Sequence, residues 1–221
     1  MTPRAVVFDL WQTLARWPED DAFDFRRRWS ESIGVSVELL DEHWYRDDVY
    51  ARRESGPIRP AIAALYEELG TGADVDDVLA WRLDLTRRAL KPDPGVVATL
   101  SELRRRGIPI GLISNCTEDV ALVWDSSPLA ELIDVAVFSA TAGLLKPDRR
   151  IYELACTSLR VDPGACFFVG DGANDELRGA ARVGMTPVLV HDAGQPPAWD
   201  GLGDWVGLRI TTIPQVLELL E

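Results

Sequence analysis

Five short apolar runs recur along the 221 residues: Ala5-Val6-Val7-Phe8, Pro109-Ile110-Gly111-Leu112-Ile113, Val135-Ala136-Val137-Phe138, Cys166-Phe167-Phe168-Val169 and Pro187-Val188-Leu189-Val190. Each is too short for a helix and apolar on both faces, which is the pattern of a strand covered on both sides. Between them lie stretches with helical spacing. Val96 to Arg106 sets Val97, Leu100 and Leu103 three residues apart and stops at Gly107, and Arg149–Leu159 and Asn174–Val183 carry similar apolar stripes. Strands alternating with helices predict an α/β fold with a doubly wound parallel sheet.

The segment from Arg16 to Leu90 breaks this alternation. It has no strand-like run and four amphipathic pieces, Asp21–Ile33, Val37–Arg53, Pro60–Leu69 and Val75–Leu90. The expected organisation is an all-helical cap over 16–90 inserted into a core formed by 1–15 and 95–221, with a hinge at 91–95. There Lys91-Pro92-Asp93-Pro94-Gly95 ends a helix. The cap is rich in Trp and Arg. The aromatics are expected to form its small core and the arginines its solvated face. Asp192 to Gly207, rich in Gly, Pro and Trp, reads as an irregular loop.

Charge narrows the function. With 23 basic against 36 acidic residues the net charge is −13, which argues against a nucleic-acid backbone or an anionic membrane surface as partner. Only Lys91 and Lys146 are lysines, so chemistry that needs an ammonium has two candidates. Three cysteines without a C-x-x-C spacing suit a reducing compartment. Residues 1–14 read as neither signal peptide nor anchor, and no apolar run approaches the ~18 residues of a membrane span. A cytoplasmic protein is expected.

In open α/β sheets the working groups stand at the carboxyl ends of the strands. Following the runs are Asp9-Leu10-Trp11-Gln12-Thr13-Leu14, then Ser114-Asn115-Cys116-Thr117, then Gly143-Leu144-Leu145-Lys146-Pro147, then Gly170-Asp171-Gly172-Ala173-Asn174-Asp175. Asp9, Asp171 and Asp175 offer hard oxygen ligands for Mg²⁺, which is typically held by few carboxylates plus a substrate phosphate. A carboxylate beside a metal and an ammonium is also a plausible nucleophile. Taken singly, each piece could equally be a helix cap or a turn. Four at consecutive strand ends are harder to dismiss.

In their order and spacing these pieces resemble the haloacid dehalogenase-like hydrolase superfamily over essentially the whole chain. The resemblance implies a Rossmann-like core, a helical cap, Mg²⁺ in most members and a covalent aspartyl intermediate. By it, Asp9 is the nucleophile and Lys146 holds it and neutralises developing charge. Ser114 and the Asn115 backbone amide bind phosphoryl oxygens, and Thr13 closes the first loop. The metal ligands would be Asp9, the Trp11 backbone carbonyl and Asp171, with Asp175 ordering the water shell.

One position departs from the pattern. Phosphatases of the superfamily carry a second Asp two residues after the nucleophile as proton donor, where this chain has Trp11. Losing a positioned proton donor costs on the order of 10²–10⁴ in rate. The dehalogenases also have an aromatic residue there and displace halide without metal, but their fourth motif tends to Ser-Ser-Asn-x-x-Asp, whereas Gly170–Asp175 keeps the metal carboxylate. Phosphonatases use a cap lysine, and residues 1–90 contain none. The expectation is therefore a Mg²⁺-dependent hydrolase acting on a small phosphate monoester. The alternatives are a metal-independent 2-haloacid dehalogenase, or a catalytically impaired member that binds a ligand or partner. His43 and His191 receive no role, and oligomeric state is not read.

Overall fold

The computed structural model describes residues 3–191, 202 and 205–221. Six strands form one sheet, all neighbours parallel: β1 Ala5–Phe8, β2 Ile110–Ser114, β3 Val135–Phe138, β4 Cys166–Gly170, β5 Thr186–Val190 and β6 Leu208–Ile210, in the order β3-β2-β1-β4-β5-β6. Side chains on the two faces of β1 enter different cores. Val6 and Phe8 pack with Leu100, Leu103 and Val216, while Ala5 and Val7 pack with Ile151, Tyr152 and Ala155. Burial on both faces is what the unbroken apolar runs require, and the fold is the Rossmann-like α/β class that they predict.

Between β1 and the core helices stand five helices: α1 Glu19–Ile33, α2 Val37–Trp44, α3 Asp47–Arg53, α4 Ile58–Leu69 and α5 Val75–Ala89. They gather a core of their own around Trp29, Trp44, Ile58, Ile62 and Leu85. The amphipathic piece read over 37–53 forms two helices. Arg46 is extended (ψ 139°) and its guanidinium bonds Asp48 and Glu68, which replaces helix continuation with a side-chain fork. The remaining helices are α6 Pro94–Arg105, α7 Glu118–Val123, α8 Ser139–Ala142, α9 Arg149–Leu159 and α10 Glu176–Arg182. A single 3₁₀ turn at Ala173–Asp175 leads into α10, so the stripe read from Asn174 begins two residues early as an α-helix.

Two elements escape the sequence reading. β6 is three residues long with two exposed, and Ile213–Leu220 forms a 3₁₀ helix opened by a Thr212–Gln215 capping box. Of the 192–207 stretch read as irregular, all but Leu202, Trp205, Val206 and Gly207 lie outside the described residues. Among those described, no helix is long and apolar enough to cross a membrane.

Candidate active site

Strand order reverses between β1 and β4, and at such a switch point the flanking loops part to leave a crevice at the carboxyl ends of the strands. A cavity of about 310 Å³ opens there, lined by Asp9, Lys146, Asp171 and Glu176 on the sheet side and by Tyr50, Arg53, Glu54 and Arg82 from the helical insertion. Asp9 leaves β1 with its N–H donated to the Val169 carbonyl (2.8 Å). The chain then folds back so that Leu14 and Ala15 both donate to the Leu10 carbonyl (2.9 Å each), with Gln12 in the left-handed region (φ 59°). This tight loop throws Trp11 into the crevice, where its ring meets Trp17 edge-on at 5.0 Å.

Lys146 is the hub of the floor. Its buried ammonium donates to the Asp9 carboxylate and to Glu176 Oε2 (2.5 Å). Asn115 fixes the lysine's position through both ends of its amide. Its Oδ1 accepts from the Lys146 N–H (2.8 Å), and its Nδ2 donates to the Lys146 carbonyl (3.1 Å). Burial works against the ammonium's charge, but Asp9 and Glu176 outweigh it and hold Lys146 above its ordinary range.

Asp9, Asp171 and Glu176 each bring a carboxylate oxygen within 4.8 Å of the others, and all three are buried. Ionised together, three carboxylates against one ammonium leave two negative charges in a site shielded from water. Burial first, and then Asp9, push Asp171 up to about 6, and burial followed by Asp9 and Asp171 pushes Glu176 up to about 8. A hard divalent cation offsets that excess, and carboxylate oxygens are the donors Mg²⁺ takes. The residues present therefore fit such an ion.

The residues expected here from sequence do not all converge. Asp9, Trp11, Asn115, Lys146 and Asp171 line the crevice. Ser114 is fully enclosed at the end of β2 and does not line the crevice, its hydroxyl 3.4 Å from the Asn115 carbonyl. Thr13 is also buried, its hydroxyl without a partner among the described residues. Asp175 stands apart from the carboxylate cluster. It and Asn174 both adopt left-handed backbone (φ 57° and 55°), which turns the Asp175 carboxylate onto Arg178 (3.1 Å) and Arg182 (2.7 Å). The same turn brings in Glu176, whose Oε1 accepts from the Gly172 N–H (3.0 Å). The sequence signal for Glu176 was only its place beside Asp175.

From the insertion, Arg53 also departs from expectation. Its side chain is 5% exposed, enclosed by the rings of Trp44, Tyr45 and Tyr50 at 4.7, 4.9 and 5.2 Å, so it is not part of a solvated face. Arg82 is likewise mostly buried, bonded to Asp119 (3.0 Å) and Thr117 (2.8 Å).

The parallel sheet order and the carboxyl-end crevice with its Asp–Lys–acid floor define a class, the Rossmann-like α/β proteins whose working groups stand at the strand ends. Residues 3–184 match the family model of the haloacid dehalogenase-like hydrolases, and the chain belongs to that family. It is 31% identical over 204 residues to Phosphatase MT3486 of Mycobacterium tuberculosis, covering 88% of this chain and 90% of the relative. It is also 30% identical over 212 residues to (S)-2-haloacid dehalogenase 4A of Burkholderia cepacia, covering 89% and 87%. In fold it is similar to a HAD phosphatase from Thermococcus onnurineus, with a TM-score of 0.73, 21% identity and coverage of 98% and 97%.

Proposed function

We propose that this hydrolase is a Mg²⁺-dependent phosphatase that removes the phosphoryl group of a small phosphate monoester through an aspartyl-phosphate on Asp9. The observation that carries the reading is the buried carboxylate trio. Displacement of halide from carbon needs one nucleophilic carboxylate, and burying two more beside it is an electrostatic cost without use. Phosphoryl transfer makes use of all three. Asp9, Asp171 and the Trp11 carbonyl would hold the ion, with Glu176 beside them and Asp175 left to its arginines. When bound, Mg²⁺ supplies charge neutralisation for the phosphoryl oxygens.

The chain's own residues do the rest. Lys146 donates to the Asp9 carboxylate and aims it, and its ammonium lies where negative charge gathers as the phosphoryl group moves. Asn115 holds Lys146 by its backbone and so fixes the ammonium's reach, while its own N–H at the head of the β2 loop offers a donor to a phosphoryl oxygen. The helical insertion covers the crevice as a cap would and supplies the side chains that meet the rest of the substrate.

Release of inorganic phosphate from a panel of phosphorylated metabolites, with Mg²⁺ and with chelator, tests the reading. Turnover is expected with Mg²⁺ only, and Asp9→Asn is expected to abolish it. Equal turnover by Asp9→Asn, or none by wild type, overturns it. A second reading is favoured by Trp11, which stands in the crevice where a proton donor would be expected. If the chain is instead a dehalogenase, halide is released from short 2-haloacids and chelator has no effect.

A further inference from the structure

A proton must reach the leaving oxygen, and Trp11 cannot give one near neutral pH. In-line displacement fixes where the donor has to be. With Asp9 attacking from the floor, the leaving oxygen points to the opposite side, toward the helical insertion. The roof is the turn between α3 and α4, and it is held on both sides of the crevice. At one side Asn174, in the β4 loop, reaches the Tyr50 hydroxyl at 3.5 Å. At the other, the Ile58 N–H donates to Glu118 at the head of α7 (3.0 Å), and the Ser55 carbonyl lies against Gly143, where an added Cβ would meet it at 4.0 Å. Between these anchors sits Glu54. Its side chain is 12% exposed, it opens on the same crevice as Asp9, and the Arg53 guanidinium lies 3.7 Å away.

Most of the other proton-bearing groups along the crevice are committed elsewhere, and the Tyr45 ring is turned to the Arg53 guanidinium at 4.9 Å. Lys146, Asp171 and Glu176 are tied into the floor, and Cys116 is fully buried with its thiol pushed far up by that burial. The Tyr50 phenol is raised by burial and then by Glu54 itself. Among the described residues, Glu54 is the one lining carboxyl outside the floor cluster. Burial raises it above the ordinary Glu value, although Arg53 and Tyr50 oppose the shift, which favours a carboxyl that can hold a proton until it is needed.

We propose that Glu54 is the general acid and base of the reaction, taking from the insertion the part that Trp11 cannot play in the first loop. As Asp9 bonds to phosphorus and the ester P–O bond breaks, the Glu54 proton passes to the leaving oxygen and the alcohol departs. The Glu54 carboxylate then takes a proton from the attacking water, which displaces Asp9 from phosphorus. Phosphate leaves, with Asp9 ionised and Glu54 protonated as at the start.

The inference rests on the phosphatase reading, and one experiment separates the two. kcat/KM is measured with Mg²⁺ for wild type, Glu54→Gln and Glu54→Asp on alkyl and aryl phosphates of graded leaving-group pKa. Wild type is expected to depend weakly on leaving-group pKa. Glu54→Gln is expected to lose about 10²–10⁴-fold on alkyl phosphates and far less on aryl phosphates, with its pH profile losing the basic limb and Glu54→Asp recovering part of both. A mere counter-charge to Arg53 would shift KM uniformly along the series. A steep dependence in wild type, or an unchanged alkyl-to-aryl ratio in Glu54→Gln, overturns the proton role while leaving the phosphatase reading in place. No phosphate release by wild type from any member overturns both.

Discussion

Gly170 closes β4 directly beneath the Glu176 carboxylate, and the space there admits only a hydrogen. A Cβ at that position would stand 2.1 Å from Glu176 Oε1 and 3.3 Å from the Asp9 Cβ. The carboxylate would have to leave, giving up the Gly172 N–H and Lys146. The metal reading makes this measurable without any substrate. At about 100 times its Kd, Mg²⁺ stabilises a folded chain by about 2.7 kcal/mol. For a chain of this length that is roughly 5–10 °C in Tm. We expect that shift in wild type and in Asp175→Asn, whose carboxylate belongs to Arg178 and Arg182, but not in Asp171→Asn, and a diminished one in Gly170→Ala. A calorimetric scan with and without Mg²⁺ decides it. A shift lost in Asp175→Asn and kept in Asp171→Asn would reverse the ligand assignment.

Helix α9 begins three residues after Lys146, and its start is set by Asp148. The Asp148 side chain accepts from the Arg150 N–H (2.9 Å) and pairs with the Arg150 guanidinium (2.6 Å). These bonds, the side-chain one first, hold its carboxyl down at about 2. Because the folded value lies below the unfolded one of about 3.9, the stabilisation is present in full above that value and is lost as pH falls toward 2. Asp148→Ala is expected to cost about 1 kcal/mol at neutral pH, or roughly 2–4 °C in Tm. The gap between variant and wild type should close between about pH 4 and 2 in acid unfolding curves. Elements such as α9 and β1 were legible because a continuous apolar stripe or run encodes them locally. The α2–α3 break was not, since no Gly or Pro marks it and the fork from Arg46 to Glu68 spans 22 residues. In the site, Asp9 and Lys146 could be read from strand-end motifs. Glu54 could not, because only the docking of the α3–α4 turn on the α7 and β4 loops brings it into the crevice of Asp9, 45 positions away in sequence.

The molecule is two cores on one sheet with a third in the insertion, and a buried polar cluster joins sheet and insertion where α5 meets α7. Its centre is Asp119 on α7, fully buried, which accepts from Arg82 Nε (3.0 Å) and from the Thr86 hydroxyl, both on α5. Arg82 continues to Thr117 (2.8 Å), in the loop that follows Asn115 and Cys116. Such a pair contributes little net stability compared with apolar residues of the same shape, since desolvation of both charges opposes their attraction. Breaking it one-sidedly is another matter, because Arg82 is 13% exposed and would be left charged without its partner. Asp119→Ala is therefore expected to cost about 3 kcal/mol, roughly 6–12 °C in Tm. The double variant Arg82→Met with Asp119→Leu should regain most of that loss. If the pair serves to seat the roof rather than to stabilise the chain, the double variant will be as stable as wild type yet poor in turnover, with the loss concentrated on alkyl phosphates because Glu54 is no longer held over the leaving oxygen. Full activity in a stable double variant would show instead that α5 and α7 find their register through apolar packing alone.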